Sequence, residues 1–157
     1  MEWKPQDLKT LWIDHDHEAF PAWLALRQRI LRDPLGLHYT EADVEAEREQ
    51  QHLIVCIEGV LVGGLIWCRP DPCKAVAKVR QVAVDVPFQG RGIGRFLMEE
   101  VMRWSASVGV GRLILHARLS VVPFYESLGF EAEGDVFEEV GIPHRFMSFA
   151  CDHLPNR

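Results

Sequence analysis

The stretch Val82–Gly94 reads VAVDVPFQGRGIG and joins an alternating apolar segment to an amphipathic one. Its first half alternates at Val82, Val84 and Val86, which predicts a β-strand that Pro87 ends. Its second half, QGRGIG, has three glycines at alternate positions, which let the backbone approach a ligand closely. Successive amides of such a turn, together with the N-terminus of the following helix, can hold an anion. The stretch therefore predicts a strand, an anion-binding turn and a helix.

Arg91 and Arg95 are placed to add charge-assisted contacts to a phosphate in this turn. Two other phosphate loops fit poorly. A Walker A loop needs a lysine followed by serine or threonine, and the Rossmann fingerprint is G-x-G-x-x-G rather than the G-x-G-x-G found here. Two alternatives remain at this point: a glycine-rich turn without a ligand, and an unrelated nucleotide-phosphate binder.

The same periodicity predicts the elements on either side of this stretch. The strands are predicted at 53–57, 60–67, 76–86, 112–116, 130–133 and 145–151, and the later helices at 92–108 and 120–128. Two earlier helices are predicted at 20–32 and 41–51, the second capped by Thr40. Glu58-Gly59 is a hairpin signal between the first two strands. This order predicts a mixed sheet with helices on both faces.

Composition limits the class of protein. A length of 157 residues suggests one domain. With a net charge of -6, the chain is a poor general binder of nucleic acid, because phosphate neutralisation needs a basic face. An acidic surface fits a cationic or amine substrate better.

The four cysteines form no C-x-x-C pair, so we expect no zinc site. Cys56, Cys68 and Cys151 lie in apolar, strand-like runs, and we interpret these three as reduced core thiols of a cytoplasmic protein. The longest apolar run, Val60–Cys68, is too short to span a bilayer. The segment Asp14–Glu18, DHDHE, resembles a metal-binding segment but has no distant partner set, so we expect no metal. Trp12 and Trp23 are candidate lining residues of an acceptor pocket.

Two motifs together resemble the GNAT (GCN5-related N-acetyltransferase) superfamily. The stretch Val82–Gly94 is similar to motif A of the family, with its Q/R-x-x-G-x-G/A pattern, and Phe124–Phe130, FYESLGF, is similar to motif B. The later segment Phe137–Met147, FEEVGIPHRFM, further resembles the bacterial ElaA/YjcF-type subgroup. The resemblance covers about residues 53–151.

The resemblance implies one α/β domain over residues 1–157. Its mixed, mostly antiparallel sheet would have about six to seven strands and about four flanking helices, and would splay between strands 4 and 5. Pantetheine would enter the splay and bind backbone groups there, with an amide that can polarise the thioester carbonyl. The residues implied to bind acetyl-CoA are Val82, Ala83, Val84, Gln89, Gly90, Arg91, Gly92, Ile93, Gly94, Arg95 and Tyr125.

Tyr125 matches the tyrosine that protonates the departing CoA thiolate in many relatives, and its alternative role is that of a core aromatic. The candidates for a general base are Glu138, Glu139, His144 and His116. His116 ends a predicted strand, and a turn at Gly141-Ile142-Pro143 could bring Glu139 and His144 together. The alternative is a solvated acidic pair beside a turn histidine. Glu139, His144, His116 and Tyr125 are the predicted catalytic residues.

These features predict an enzyme that transfers an acetyl group from acetyl-CoA to a primary amine of a small molecule or peptide. The amine would attack directly in a ternary complex, because no Cys or Ser lies in a recognisable nucleophile setting. The alternative is a non-catalytic acyl-CoA-binding module. We expect no nucleic-acid or membrane partner, and a homodimer, the commonest oligomer, is left open.

Overall fold

A computed structural model describes residues 2–153 of the chain. It contains the strands β1 Leu8–Ile13, β2 Gln51–Ile57, β3 Val60–Cys68, β4 Val76–Val84, β5 Arg112–Arg118, β6 Glu131–Glu139 and β7 Ile142–Ala150. Its α-helices are α1 Phe20–Arg27, α2 Glu41–Ala46, α3 Ile93–Ser107 and α4 Val122–Ser127. Each helix in this part of the chain is too short or too polar to cross a membrane.

The strands form one seven-stranded sheet in the order β1-β2-β3-β4-β5-β7-β6. The β1–β2, β2–β3, β5–β7 and β6–β7 pairs are antiparallel, whereas β4 and β5 are parallel. A β-α-β crossover through α3 joins the parallel pair, as such a pair requires. The expected mixed, mostly antiparallel α/β sheet with about four helices is therefore confirmed.

Several predicted element bounds are wrong. The helix predicted at 20–32 is α-helical only to Arg27, and a π-helical turn at Gln28–Arg32 continues it. The strand predicted at 130–133 extends to Glu139 across an irregularity between Glu133 and Phe137. The pattern also gave no sign of β1, because most of that strand is exposed and its alternation is weak.

The chain divides into two compact units, which are described separately. The first, unit 1, holds the residues up to Cys68 together with Gln81–Leu97, and the second, unit 2, holds Arg69–Arg80 and the residues from Met98 onward.

Trp23 lies at the centre of the core of unit 1 and is fully buried. A Cβ on Gly64 would meet the Trp23 ring at 2.8 Å, so only glycine lets β3 pass under the indole. The indole Nε1 donates to Nδ1 of buried His52 at 3.0 Å. Trp23 is thus a core residue, and its predicted place in an open acceptor pocket is wrong.

A buried ion pair ties α1 to the residue that follows α2. Nη2 of Arg27 lies 2.8 Å from both carboxylate oxygens of Glu47, and both side chains are almost wholly buried. The Arg27 guanidinium also lies over the rings of Trp23 and Tyr39, 5.5 and 4.7 Å from their centroids. Removing one partner of such a pair typically costs about 3–5 kcal/mol, because the other charge remains buried.

In unit 2 the two faces of β5 differ in burial. Burial alternates along β5, where Leu113, Leu115 and Ala117 are buried. Phe149 of β7 pairs with Leu113 and shares its face. The intervening residues of β5 point to the opposite, less buried face, which carries the ionisable groups described below.

Candidate functional site

The glycine-rich turn of unit 1 has the backbone that an anion site needs. A 3-10 turn at Val86–Phe88 follows β4, and Gly90 and Gly92 then adopt φ values of 74° and 86°. These left-handed conformations favour glycine, and their alternation with ordinary residues turns successive amides toward one side. A Cβ at either glycine would meet nothing within 4 Å, so open space surrounds the turn.

The N-terminus of α3 adds further donors to this turn. Phe96 N donates to Gly92 O, the first backbone bond of the helix, so the amides of Ile93, Gly94 and Arg95 have no acceptor within the helix. Arg95 lies in the first turn of α3, as predicted, and both Arg91 and Arg95 are exposed. Together these groups fit the charge and shape of a diphosphate.

Gln89 binds the end of β4. Its Nε2 donates to Val84 O at 2.9 Å. The carbonyl of Val84, predicted to be a free group for pantetheine, is therefore already bonded, although a carbonyl oxygen can accept a second hydrogen bond. Val82, Ala83 and Val84 lie beyond the three residues of β4, Val76–Lys78, that pair with Arg112–Ile114 of β5.

Gln81, just before these three residues, has a left-handed backbone. Its φ is 57°, which is uncommon for a residue with a side chain and costs on the order of 1–3 kcal/mol. The hydroxyl of Tyr39 donates to its Oε1. The sequence gave no sign of this contact, because the two residues are 42 positions apart and neither belongs to a recognisable motif.

In unit 2, three of the predicted catalytic residues meet on the face of the sheet opposite to Leu113 and Leu115. His116 Nδ1 lies 2.9 Å from Glu139 Oε1, and His144 Nε2 lies 3.6 Å from Glu139 Oε2. The β6–β7 register explains the meeting, because Phe137 pairs with His144 and Glu139 pairs with Ile142. The connecting turn is Val140-Gly141, rather than the predicted Gly141-Ile142-Pro143.

The two histidines of this cluster differ in what their nitrogens can do. His144 is 4 % exposed, and its Nδ1 lies 2.9 Å from the carbonyl of Ile142, so that nitrogen carries a proton. The side chain of His116 is 26 % exposed. A carboxylate can only accept, so His116 Nδ1 carries the proton toward Glu139 and leaves Nε2 as the acceptor nitrogen of the neutral ring. Among residues 2–153, His116 Nε2 has no hydrogen-bond partner.

The pKa of Glu139 reflects this surrounding charge. Burial alone would raise the pKa of the carboxyl, but the hydrogen bond from His116 and the charges of His116, His144 and Lys78 outweigh burial and lower it. Glu139 is therefore ionised at neutral pH and can orient His116. Glu138, the fourth candidate base, pairs with Pro143 and so lies on the opposite side of β6 from Glu139.

Tyr125 lies on the apolar face of unit 2. Its ring meets that of Phe130 edge-on at 5.8 Å, and Phe130 contacts Phe149, which shares the face of Leu113. Burial raises the pKa of the Tyr125 hydroxyl, so the group stays protonated at physiological pH. In the described part of the chain nothing accepts a hydrogen bond from it. The four predicted catalytic residues are thus divided by the sheet, three on one face and Tyr125 on the other.

The segment Asp14–Glu18, which resembles a metal-binding segment, builds the turn that leads into α1. Asp14 Oδ1 accepts from Asp16 N at 2.9 Å, and His17 Nδ1 accepts from Ala19 N at 3.0 Å. His15 stacks on Phe20 with ring centroids 4.3 Å apart. Over residues 2–153, no group of three or more His, Cys, Asp or Glu is arranged to hold a metal ion.

Comparison with protein families gives a match to the Acetyltransferase (GNAT) family over residues 9–130, which is most of the chain. The chain belongs to the GNAT acetyltransferase family. The match includes motif A and reaches Phe130, the end of motif B.

Two relatives show how far the likeness extends. The uncharacterised protein YyaT of Bacillus subtilis is 30 % identical over 119 residues, which are 71 % of this chain and 76 % of that protein. The chloroplastic GCN5-related N-acetyltransferase 2 of Arabidopsis thaliana is 40 % identical over 57 residues, 36 % of this chain and 22 % of that protein. The chain thus spans a quarter or less of the length of the plant acetyltransferases that it matches.

Solved structures share the fold of this GNAT protein. An acyl-CoA N-acyltransferase of Pseudomonas aeruginosa has a TM-score of 0.78 at 23 % identity, covering 91 % of this chain and 99 % of that one. ElaA of Escherichia coli has a TM-score of 0.77 at 20 % identity, covering 90 % of this chain and 98 % of that one. The likeness to ElaA agrees with the resemblance that the segment Phe137–Met147 predicts.

Proposed function

We propose that this GNAT protein transfers the acetyl group of acetyl-CoA to a primary amine by direct attack in a ternary complex. The turn at Gly90 and Gly92 is the observation that carries the proposal. Its left-handed residues, its open surroundings and its position at the N-terminus of α3 suit the diphosphate of CoA. Acetyl-CoA supplies the thioester. The residues of this chain bind acetyl-CoA, position its thioester and move the proton.

His116 Nε2 is the proposed general base. A lysine-like amine has a pKa near 10.4, so at pH 7 only about 1 in 2500 molecules is neutral, which corresponds to roughly 4.6 kcal/mol. His116 cannot readily deprotonate such an ammonium outright. It accepts the proton as the N–C bond forms, when the nitrogen becomes far more acidic, and Glu139 holds the ring by its Nδ1–H.

Tyr125 is proposed to donate a hydrogen bond to the thiolate as the C–S bond breaks. A thiol pKa is about 8.5, so the thiolate is a fair leaving group and needs little help. Because burial raises the pKa of Tyr125, the hydroxyl is a hydrogen-bond donor rather than the final source of the proton, which comes from solvent. The family resemblance implies that pantetheine enters a splay of the sheet and binds backbone groups there.

Two measurements test the function. The first is calorimetric titration with acetyl-CoA, and the second is the release of free CoA thiol from acetyl-CoA in the presence of amines that include polyamines, amino acids and peptides. We expect binding and amine-dependent thiol release. Binding without release from any amine would instead favour the acyl-CoA-binding module, and absence of binding would contradict both functions.

Tyr125→Phe tests the role of the hydroxyl. We expect kcat to fall about tenfold, because one hydrogen bond to the departing thiolate is lost. We expect Tm to change by less than about 2 °C, since within residues 2–153 the hydroxyl has no partner to lose. Glu126→Gln, at an exposed position of the same helix, is the matched control and should leave kcat within about twofold. An unchanged kcat in Tyr125→Phe would remove the residue from the mechanism.

A further inference from the structure

Gln81 has a left-handed backbone within β4, one residue before Val82, which the family resemblance implies as a residue that binds acetyl-CoA. A φ of 57° inside a strand persists only where tertiary contacts hold it. The Gln81 side chain has such a contact, because its Oε1 accepts a hydrogen bond from the hydroxyl of Tyr39. All of these residues belong to unit 1.

Tyr39 is itself held from three directions. Its backbone N donates to Gln28 Oε1 at 3.1 Å, and the same amide of Gln28 donates through Nε2 to Leu37 O at 2.7 Å. The guanidinium groups of Arg27 and Arg32 lie 4.7 and 4.8 Å from the centroid of the Tyr39 ring. The ring therefore has little freedom, and its hydroxyl is a fixed donor for Gln81.

The other end of the segment Val82–Val84 has a contact to the same helical region. Arg29, in the π-helical turn, donates to Asp85 Oδ2 at 3.3 Å. Asp85 N donates to Val62 O of β3 at 2.8 Å, and Gln89 Nε2 donates to Val84 O. The three residues expected to meet pantetheine are thus bracketed at both ends, by Tyr39 at one and by Arg29 at the other.

We propose that Tyr39 is a positioning residue that holds Gln81 in its left-handed conformation and so aims the amide of Val82 at the thioester carbonyl. This inference rests on the proposed acetyl transfer. The contact couples the segment Asp33–Tyr39 to the thioester-binding end of β4, so a change in that segment alters catalysis without touching the diphosphate turn.

Glycine at position 81 provides the decisive test. Glycine adopts a positive φ without strain, so a chain with Gln81→Gly no longer needs the Tyr39 contact to keep this backbone. Tyr39→Phe alone should lower kcat about threefold to tenfold, the range that loss of one hydrogen bond gives. It should leave the Kd for acetyl-CoA within about twofold. In a chain that already carries Gln81→Gly, the further change Tyr39→Phe should alter kcat by less than about twofold.

Thr40→Ala is the matched control. Thr40 caps α2 through Asp43 N and lies next to Tyr39, but among the described residues its side chain makes no hydrogen bond with Gln81. The variant should lower Tm and leave kcat within about twofold. A fall in kcat equal to that of Tyr39→Phe would overturn the proposal, because the stability of the region would then explain both losses.

A second readout separates this inference from the function it rests on. The amide resonances of Gln81–Val84 should shift in Tyr39→Phe without any ligand, whereas they should not shift in Thr40→Ala. Unmoved resonances in Tyr39→Phe overturn the inference even if the enzyme is active. Equal losses of kcat with and without Gln81→Gly also overturn it. If the unaltered chain releases no thiol, the proposed function fails, and the resonances still decide the role of Tyr39.

Discussion

Nδ1 of His116 is hydrogen-bonded to Glu139, whereas Nε2, on the other side of the ring, has no hydrogen-bond partner within residues 2–153. Its removal should lower kcat by about 100-fold or more, the usual contribution of a general base. The Kd for acetyl-CoA should stay within about twofold, since His116 is not part of the turn proposed to bind the diphosphate. Steady-state thiol release by His116→Ala, with titration of acetyl-CoA, measures both.

The control for this variant is His17→Ala, which removes a histidine that binds the backbone at Ala19 and lies outside the cluster. Imidazole added to His116→Ala should restore part of the rate if the missing group is a base. A His116→Ala protein with unaltered kcat would show that another residue, or water, takes the proton.

Glu139 predicts a pH dependence of stability. Its pKa in the folded protein is below the ordinary value of 4.5, chiefly because His116 outweighs the effect of burial. A carboxyl with a lowered pKa stabilises the folded state above its unfolded pKa, and this stabilisation is lost as pH falls through the folded value. Tm should therefore drop less between pH 6 and pH 3 in Glu139→Gln than in the unaltered chain.

Scanning calorimetry over that pH range checks the prediction. Glu138→Gln is the matched control, because Glu138 precedes Glu139 in β6 and points to the other side of the strand. The control should keep the full drop in Tm. Parallel behaviour of the two variants would show that the contacts of Glu139 with the histidines do not contribute to stability.

At the scale of elements, the two ends of α3 carry glycines with nearly the same backbone and different expected roles. Gly92 precedes the helix with φ 86° and Gly109 follows it with φ 83°, and in both cases open space surrounds the Cα. Alanine at either position should lower stability by about 1 kcal/mol through the left-handed conformation, which corresponds to roughly 2–4 °C in Tm.

Only Gly92→Ala should weaken the binding of acetyl-CoA, by about tenfold or more in Kd, because Gly92 lies in the turn proposed to hold the diphosphate. Gly109→Ala should leave the Kd within about twofold. Thermal melts and calorimetric titrations of both variants separate strain from ligand contact. Equal binding by the two variants would place the diphosphate elsewhere.

The β6–β7 hairpin shows how a turn positions a site. Val140 has φ 48° and Gly141 has φ 79°, two successive left-handed residues of the kind that two-residue hairpins use. This turn places Glu139 opposite Ile142 and therefore beside His144. A shift of β6 by one residue in its pairing with β7 would move Glu139 to the other face of the sheet and separate it from both histidines.

For the whole molecule, acetyl-CoA should act as a stabilising ligand. At 100 times Kd it should add about 2.7 kcal/mol to the free energy of unfolding, or roughly 5–11 °C in Tm for a chain of this size. ATP and NAD at the same concentration should give a smaller shift, because they lack the pantetheine that the β4 segment is expected to bind. A larger shift with either nucleotide would favour an unrelated nucleotide-phosphate binder.

The turn at Gly90 and Gly92, α3 and the β2–β3 hairpin could be predicted from the sequence alone. Each of these elements depends on residues that are close in sequence. Gly90 and Gly92 adopt a positive φ because they have no side chain. The helix follows from an apolar stripe with a period of 3.6 residues, and the hairpin follows from Glu58-Gly59. Such local rules also explain where the prediction stopped. The apolar pattern through Arg32 conceals the change to a π-helical turn, and the exposed residues of β1 give too weak an alternation to reveal a strand.

Only the tertiary structure decided which ionisable groups meet. His116 and Glu139 are 23 positions apart and Tyr39 and Gln81 are 42 apart, and neither distance is encoded in any motif. Their contacts depend on strand register and on packing between elements distant in sequence. A side chain's face in a sheet reverses with a shift of one residue, so neighbouring residues alone cannot specify it. The sequence alone therefore predicts the turn proposed to bind acetyl-CoA, whereas the choice of base depends on packing between distant strands.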